Sequence, residues 1–416
     1  MRNPGPDVLV VGGGPAGMAA ALYAKGRGVS VLLLEQNEKL GKKLYITGKG
    51  RCNVTNQAGL EDFLANVPRN PRFLYAALSF LSPEGLRDWL GKLGCETLVE
   101  RGGRVFPASQ KASDVIKALA HGLTADEVRL HCPVLEVVAE NGKAAGVRLP
   151  DGNLITAKTV VLATGGVTYP VTGSRGEGHR MARELGHTVG ELAGALVGLE
   201  VSDPWVGKVQ GLTLKNVALH AAVGGKVRFA RQGELLFTHT GISGPLALTL
   251  SSVLAGSAWQ KVSAWVDLKP ALSRQTLLDR LNRDISESGR RQLGTLLPEY
   301  LPVSLAKAFP LLCQVEGEKK LSQLTAAERA KLIDGMKRLP LSLTGPGPVS
   351  QAVVTRGGVS VKDISPSTME SKQLPGLYFA GEIIDVDAFT GGFNLHIAFA
   401  TGALAGASAA ESQQMI

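Results

Sequence analysis

Apolar positions first gather into a continuous run, Asp7 to Val11, of the kind buried on both faces of a parallel sheet. A glycine-rich turn follows, then a helical pattern of Ala, Leu and Met from about Pro15 to Arg27, then a second buried run, Val29 to Glu35. Together they predict a complete β-α-β unit. Glu38 to Asn56 has little periodicity and reads as a long loop carrying glycine and lysine, a length that in a compact domain marks function or mobility. Helical spacing returns over about Phe73–Leu93 and Ala112–Leu123. Val128 to Val138 reads as a strand, Asn141-Gly142 and Asp151-Gly152 as turns, and Ile155 to Ala163 as another strand. A three-stranded antiparallel meander set into an α/β domain is expected.

Near residue 190 the texture changes. From Leu192 to about Val266, short alternating runs with Gly224-Gly225 and Gly233 at turns predict a small β-barrel or sandwich. Gln275–Leu297 and Thr325–Arg338 follow as amphipathic helices, the second opened by the capping-box pair Thr325 and Glu328. Pro340–Pro348 reads as a linker, Gly376–Ile384 as an apolar strand, and Asn394–Ala410 as a small-residue helix behind Gly391-Gly392. The expected fold class is α/β. A discontinuous nucleotide-binding domain, 1–190 with 348–416, is interrupted by 191–347, β-barrel to about residue 270 and helical beyond.

Composition narrows the class. The 416 residues suit two or three domains, and 44% apolar with 19% charged residues excludes a disordered chain. A net charge of +9 admits polyanionic partners, yet the Lys and Arg residues are scattered along the chain without a block, so nucleic-acid binding is not expected. Cys52, Cys95, Cys132 and Cys313 form no Cys-x-x-Cys pair, so neither a metal site nor a disulfide relay is expected. Met1 to Asp7 lacks a signal pattern and no run approaches ~20 apolar residues, so a soluble cytoplasmic protein is expected, with no membrane contact.

Chemistry enters at Gly12-x-Gly14-x-x-Gly17, between strand and helix. Gly12 permits the tight turn, Gly14 lets backbone approach a pyrophosphate, and Gly17 lets helix and sheet pack closely. Pro15 and Ala16 open the helix, whose N-terminal amides attract phosphate. Glu35, followed by Gln36, ends the second strand where an acid accepts ribose hydroxyls. This much specifies a dinucleotide. Two later segments, VVLATGG at Val160–Gly166 with Ala163, Thr164 and Gly165, and GLYFAGEIIDVD at Gly376–Asp387 with Gly381 and Glu382, resemble flavoproteins related to glutathione reductase and imply FAD.

A narrower resemblance rests on GKKLYITGKGRCNVTN (Gly41–Asn56), GGRVFP (Gly102–Pro107), ATGGVTYPVTGSRGEG (Ala163–Gly178), FTHTGISGP (Phe237–Pro245) and FAGEIIDVDAFTGGFNLHIAFATG (Phe379–Gly402). In this order they resemble the aminoacetone oxidase-type flavoproteins, a family that also includes a proposed bile-acid dienone reductase. The resemblance implies a glutathione-reductase-like FAD-binding Rossmann domain with an inserted β-barrel and helical subdomain. It places Ala16, Glu35, Lys43, Asn53, Val134, Glu382, Asn394 and Leu395 on the FAD. Glu35 would hold the adenosine ribose, Val134 would offer backbone to the adenine, and Glu382 would lie near the ribityl chain or pyrophosphate. Asn394 and Leu395, just after Gly392, open a helix whose dipole favours a reduced, anionic flavin. Where the family commonly carries Gln after Asn-Leu, this chain has His396.

Arg51 suits a cofactor phosphate or an anionic substrate equally well. His239, His396 and Tyr169 are as well explained by packing as by proton transfer, and no catalytic side chain is assigned. Cys52 lacks a partner for a redox disulfide. The expected activity is FAD-dependent hydride transfer through flavin N5. It would be either NAD(P)H-dependent reduction of an activated, steroid-dienone-like double bond or oxidation of a small amine such as aminoacetone, with transient NAD(P)H docking and a small-molecule substrate. A flavin-bearing RNA-modifying protein and a redox sensor without turnover are the alternatives.

Overall fold

Strand β1 (Val8–Val11) is buried at every position because it lies at the centre of a five-stranded parallel sheet. The computed structural model that shows this describes residues 5–414, and the expectation about a signal pattern lies outside the described residues for positions 1–4. The sheet is completed by β2 (Val31–Leu34), β3 (Val128–Arg129), β4 (Thr159–Leu162) and β5 (Leu377–Phe379), in the order β5-β4-β1-β2-β3. Val11 lies opposite both Leu34 and Leu162, and Leu162 opposite Phe379. The strands therefore end together, and the chain segments at Gly12, Glu35, Ala163 and Ala380 leave the sheet along one edge, where open α/β sheets bind ligands.

Helix α1 (Pro15–Lys25) packs along the last helix, Phe393–Gln414. A Cβ at Gly402 would sit 2.2 Å from the Ala16 carbonyl oxygen, and one at Gly406 2.0 Å from that of Ala20. The small-residue pattern thus serves close backbone contact between these two helices. Gly17 does the same against the turn, where a Cβ would meet the Gly12 carbonyl oxygen at 1.8 Å.

The chain forms two compact units, one reaching to Ala195 and resuming at Val349, the other Leu196–Pro348. The first carries the parallel sheet and the expected meander, Glu136–Glu140, Lys143–Arg148 and Leu154–Thr156. In the second, seven antiparallel strands run from Leu339–Leu341 at one edge to Leu343–Pro346 at the other. Only Ser342 separates these edge strands in the chain, so the sheet curls until its edges meet, as in a barrel. Helices Gly244–Leu254, Arg274–Ser288, Val303–Leu312 and Ala326–Lys337 complete this unit, and the Thr325/Glu328 capping box is formed.

Several expectations are corrected. Pro340–Pro348 is no linker over its first part: Leu339, Leu341 and Leu343 are buried in alternation, and the prolines sit on edge strands where a missing N–H breaks no ladder. Phe73–Leu93 divides into Tyr75–Phe80 and Pro83–Lys92, because Pro83 starts a new helix capped by the Ser82 hydroxyl. Val128–Val138 is two strands in different sheets, Val128–Arg129 and Glu136–Glu140, with Pro133 between them. Gln275–Leu297 stops as a helix at Ser288, before Gly289. The loop Glu38–Asn56 contains a short helix, α2 (Lys42–Ile46), and Gly244–Leu254 is helical where strands were expected.

The helix contact makes a prediction. Gly406→Ala should lower the melting temperature by several degrees, as about 1–3 kcal/mol of overpacking would. Gly85→Ala, also helical but with its nearest neighbour at 3.4 Å, should be neutral or stabilising. Thermal melts of the two variants decide it; equal melting temperatures would remove the close-contact explanation.

Candidate active site

At the end of β1 the turn is built for close approach. Gly12 has φ +108, and a Cβ there would meet the Ala163 carbonyl oxygen at 2.5 Å. Gly14, extended at the start of α1, has no heavy atom within 4 Å of a Cβ position. Pro15 has no N–H, and the first-turn amides of Ala16 and Gly17 have no side-chain cap. An uncapped helix N-terminus behind an open glycine fits a dinucleotide pyrophosphate.

Glu35 sits beside this turn and is almost fully buried. Its Oε2 accepts the Gly13 N–H at 2.7 Å, and its Oε1 accepts the Asn37 N–H at 2.8 Å. Gln36 donates to the Gly173 carbonyl at 2.5 Å, tying the strand end to the glycine loop that follows β4. Gly381, at φ +77, lies against Ala16. The far C-terminal strand therefore reaches the fingerprint turn, as expected.

A second group surrounds Glu382. Lys43, on α2, donates to Glu382 Oε2 at 2.6 Å, to Oε1 at 2.9 Å and to Thr168 Oγ1 at 2.8 Å. The Thr355 N–H donates to Glu382 Oε1 at 2.7 Å. Only about a fifth of each charged side chain is exposed. Burial disfavours the Glu382 carboxylate, but the Lys43 charge, its hydrogen bond and the Thr355 amide outweigh that and hold the carboxyl below its ordinary range. Thr168 and Thr355 escaped the sequence reading. The one local signal was Gly166, where a Cβ would collide with Thr355 Oγ1 at 1.9 Å.

The remaining candidates are held by scaffold contacts. The Asn53 side chain accepts the Val105 N–H, and Gly392, at φ +101, closes on the Thr55 carbonyl. Asn394 clasps Ala388 at both its N–H and its carbonyl. Val134 and Leu395 pack half-buried against the core. Arg51 pairs with Glu100, donates to Gln110 and lies 4.0 Å over the Phe106 ring. Thr164, beside Gly165 at φ +75, buries a hydroxyl without a partner.

The titratable side chains divide sharply. His396 is fully buried between Thr55 Oγ1 and the Leu81 carbonyl, and burial pushes it down to about 4, so it packs as a neutral ring. His239 is exposed, in the second unit. Burial pushes the Cys52 thiol up to about 12, which leaves it unreactive near neutrality. Asp387, which spacing did not single out, is almost fully buried, and its Oδ1 accepts no hydrogen bond, with Arg69 Nε 4.0 Å away. Burial raises it to about 6, against the opposing charges of Arg356 and Arg69 and with help from Asp385. Among the described residues no group of three or more His, Cys, Asp or Glu is placed to hold a metal, and no helix is long and apolar enough to cross a membrane.

With this geometry in hand, three comparisons bear on identity. Residues 6–408 match the family model described as HI0933-like protein Rossmann domain. The chain is 31% identical over 407 residues to a 3-dehydro-bile acid delta(4,6)-reductase of Clostridium scindens, covering 97% of this chain and 98% of that protein. It is 29% identical over 402 residues to a ribosomal RNA dihydrouridine synthase of Escherichia coli, covering 95% and 96%. Among solved structures, 3-ketosteroid delta1-dehydrogenase from Sterolibacterium denitrificans superposes with a TM-score of 0.54 at 15% identity, over 98% of this chain and 99% of that one, a likeness of fold.

Two pH profiles follow. Glu382 lies below its ordinary value of 4.5, so its contribution to stability should be complete above that pH and be lost as pH falls further. In Lys43→Met burial is opposed only by hydrogen bonds, those from Thr355 foremost, so the carboxyl should rise relative to the parent, and the stability present above pH 4.5 should shrink or reverse, by less than the about 3–5 kcal/mol of a fully buried broken pair. Melting temperatures of both proteins from acid to neutral pH check this, and parallel profiles would sink the ion-pair assignment. Asp387 is raised from 3.8 to about 6, so it should destabilise the fold progressively across that interval. Asp387→Asn should flatten the denaturant midpoint over the same range, an effect of at most about 3 kcal/mol; an unchanged slope there would count against a raised Asp387.

Proposed function

The chain belongs to the HI0933-like family and is a flavin-dependent oxidoreductase, and from that premise we propose that its flavin is FAD and that it reduces a carbon–carbon double bond conjugated to a carbonyl. The observation that carries the FAD reading is the open, uncapped start of α1 beside Glu35, closed by Gly381 from the far strand. The reaction class is supported by the names of two full-length relatives, a delta(4,6)-reductase and a dihydrouridine synthase. Both names denote saturation of a double bond conjugated to a carbonyl, on very different molecules.

Bound FAD would supply the redox chemistry, taking hydride from a nicotinamide and giving it to the substrate. The chain's own part is to bind and orient. The Ala16 and Gly17 amides would face the pyrophosphate, and Glu35, held beside the turn by the Gly13 and Asn37 amides, would accept ribose hydroxyl protons. Lys43 would contribute a cation held in place by Glu382 and Thr168, and positive charge favours an electron-rich reduced cofactor.

Anaerobic stopped-flow tests this directly. NADH or NADPH should bleach the flavin band, and a conjugated enone added under argon should restore it. Bleaching by small amines but not by nicotinamide would make the protein an oxidase; reoxidation by oxygen alone would remove the reductase reading. Glu35→Ala should release FAD on ultrafiltration, with affinity at least about tenfold weaker, the worth of one lost charged hydrogen bond.

A further inference from the structure

Saturating a double bond conjugated to a carbonyl takes hydride at one carbon and a proton at the other, the carbon beside the carbonyl. Hydride comes through the flavin; the proton must come from a side chain or from water. A side-chain donor has to carry a hydrogen that nothing else in the protein holds, on a group that a ligand can reach. Most titratable groups around the site fail that requirement. His396 has both ring nitrogens engaged, Cys52 is fully buried, and Asp387 is 2% exposed. The Lys43 ammonium is held by Glu382 and Thr168.

Tyr169, the residue after Thr168, meets it. The side chain is only partly buried, and the Lys43 ammonium lies 6.0 Å from the centre of its ring. Its carbonyl accepts the Thr172 N–H and hydroxyl, each at 2.8 Å, while the phenol hydroxyl makes no hydrogen bond among the described residues. The backbone here is left-handed, φ +52 and ψ +58, which is strained for a bulky residue, and Pro170 restricts the residue before it further. Gly165, Gly173 and Gly176 of the same loop also take positive φ, and there the chain uses glycine. At 169 it keeps an aromatic ring in spite of the strain. The loop is pinned on both sides of that ring. Before it, the Val167 N–H binds Thr355 Oγ1 and Thr168 binds Lys43; after it, Asn37 and Gln36 donate to the Thr172 and Gly173 carbonyls. Strain held in this way at a ligand site marks a side chain kept for function.

We propose that Tyr169 is the catalytic acid, giving its phenol proton to the carbon beside the substrate carbonyl as hydride reaches the far carbon of the double bond. The assignment rests on the double-bond reduction proposed above. The phenol O–H bond breaks and a C–H bond forms. The phenolate, left beside the Lys43 charge, recovers a proton from water, to which the partly exposed ring has access. Over one turnover the double bond becomes a single bond, NAD(P)H becomes NAD(P)+, and one proton is drawn from solvent.

The test is Tyr169→Phe in the flavin-loaded full chain, which keeps the ring and removes only a hydroxyl that bonds nothing. Its melting temperature and the bleaching of its flavin by NAD(P)H should match the parent's. Anaerobic reoxidation by a conjugated enone should slow by about a hundredfold or more. A nitroalkene takes hydride at the matching carbon and leaves as a stable nitronate anion without the proton, so it should reoxidise variant and parent at similar rates. Val171→Ala, in the same loop and 79% exposed, should match the parent with both acceptors. Enone reoxidation of Tyr169→Phe at the parent's rate overturns the proposal and leaves the reductase reading standing. An equal loss with enone and nitroalkene, or a lowered melting temperature, also overturns it, by making the hydroxyl a positioning or structural group. A parent that no enone reoxidises removes the reductase reading and this assignment with it.

Discussion

A carboxylate kept ionised in a mostly buried place is the constraint around which the first unit is arranged. Glu382 comes from the end of the last sheet strand, Lys43 from α2, Thr168 from the loop after β4, and the Thr355 amide from a strand of a separate two-stranded sheet. An unpaired charge there would cost several kcal/mol, so all these segments must arrive together or the site does not form. Their convergence explains small residues that a ligand alone does not. Gly166 has no side chain because the Thr355 hydroxyl occupies that space, and Gly41 takes φ +68 to start α2 against Ile116.

Legibility in the sequence followed the range of the interactions. The β1-α1-β2 unit, the Glu35 position and the Thr325/Glu328 cap are local patterns, and each was readable within a few turns of chain. The fold class was readable because buried parallel strands leave continuous apolar runs. The Lys43–Glu382 pair was not, although both residues were placed on the cofactor, because nothing in either segment specifies a partner 339 positions away. Pro340 and Pro346 misled for a physical reason. Proline argues against a central strand, and these are edge strands, where the sequence alone does not say which neighbour is missing.

The start of the last helix shows why no acid or base was identified by residue type. Asn394 spends its side chain on Ala388, and His396 spends both ring nitrogens on Thr55 and Leu81. Gly391 and Gly392, both at positive φ, let the chain lie against Asn56 and Thr55 before the helix begins. The same division holds at α1, where the helix is left uncapped beside Gly14 while Glu35 fixes the turn from the side. In both places side chains hold the scaffold, and backbone is what remains for a ligand.

That division has a chemical cause. A cofactor that carries its own reactive centre asks the protein for position, space and a favourable field, and backbone amides at helix ends supply these without titrating. Residue types associated with proton transfer are then poor guides: the neutral His396 and the inert Cys52 sit close in sequence to the strongest motifs and yet serve packing. Glycines are better guides, because a missing side chain records where something must come close, whether the Thr355 hydroxyl at Gly166, the Ala20 backbone at Gly406, or the open space in front of Gly14. Only the last of these is left unfilled by the protein, and it lies where the parallel strands end and the helix dipole begins.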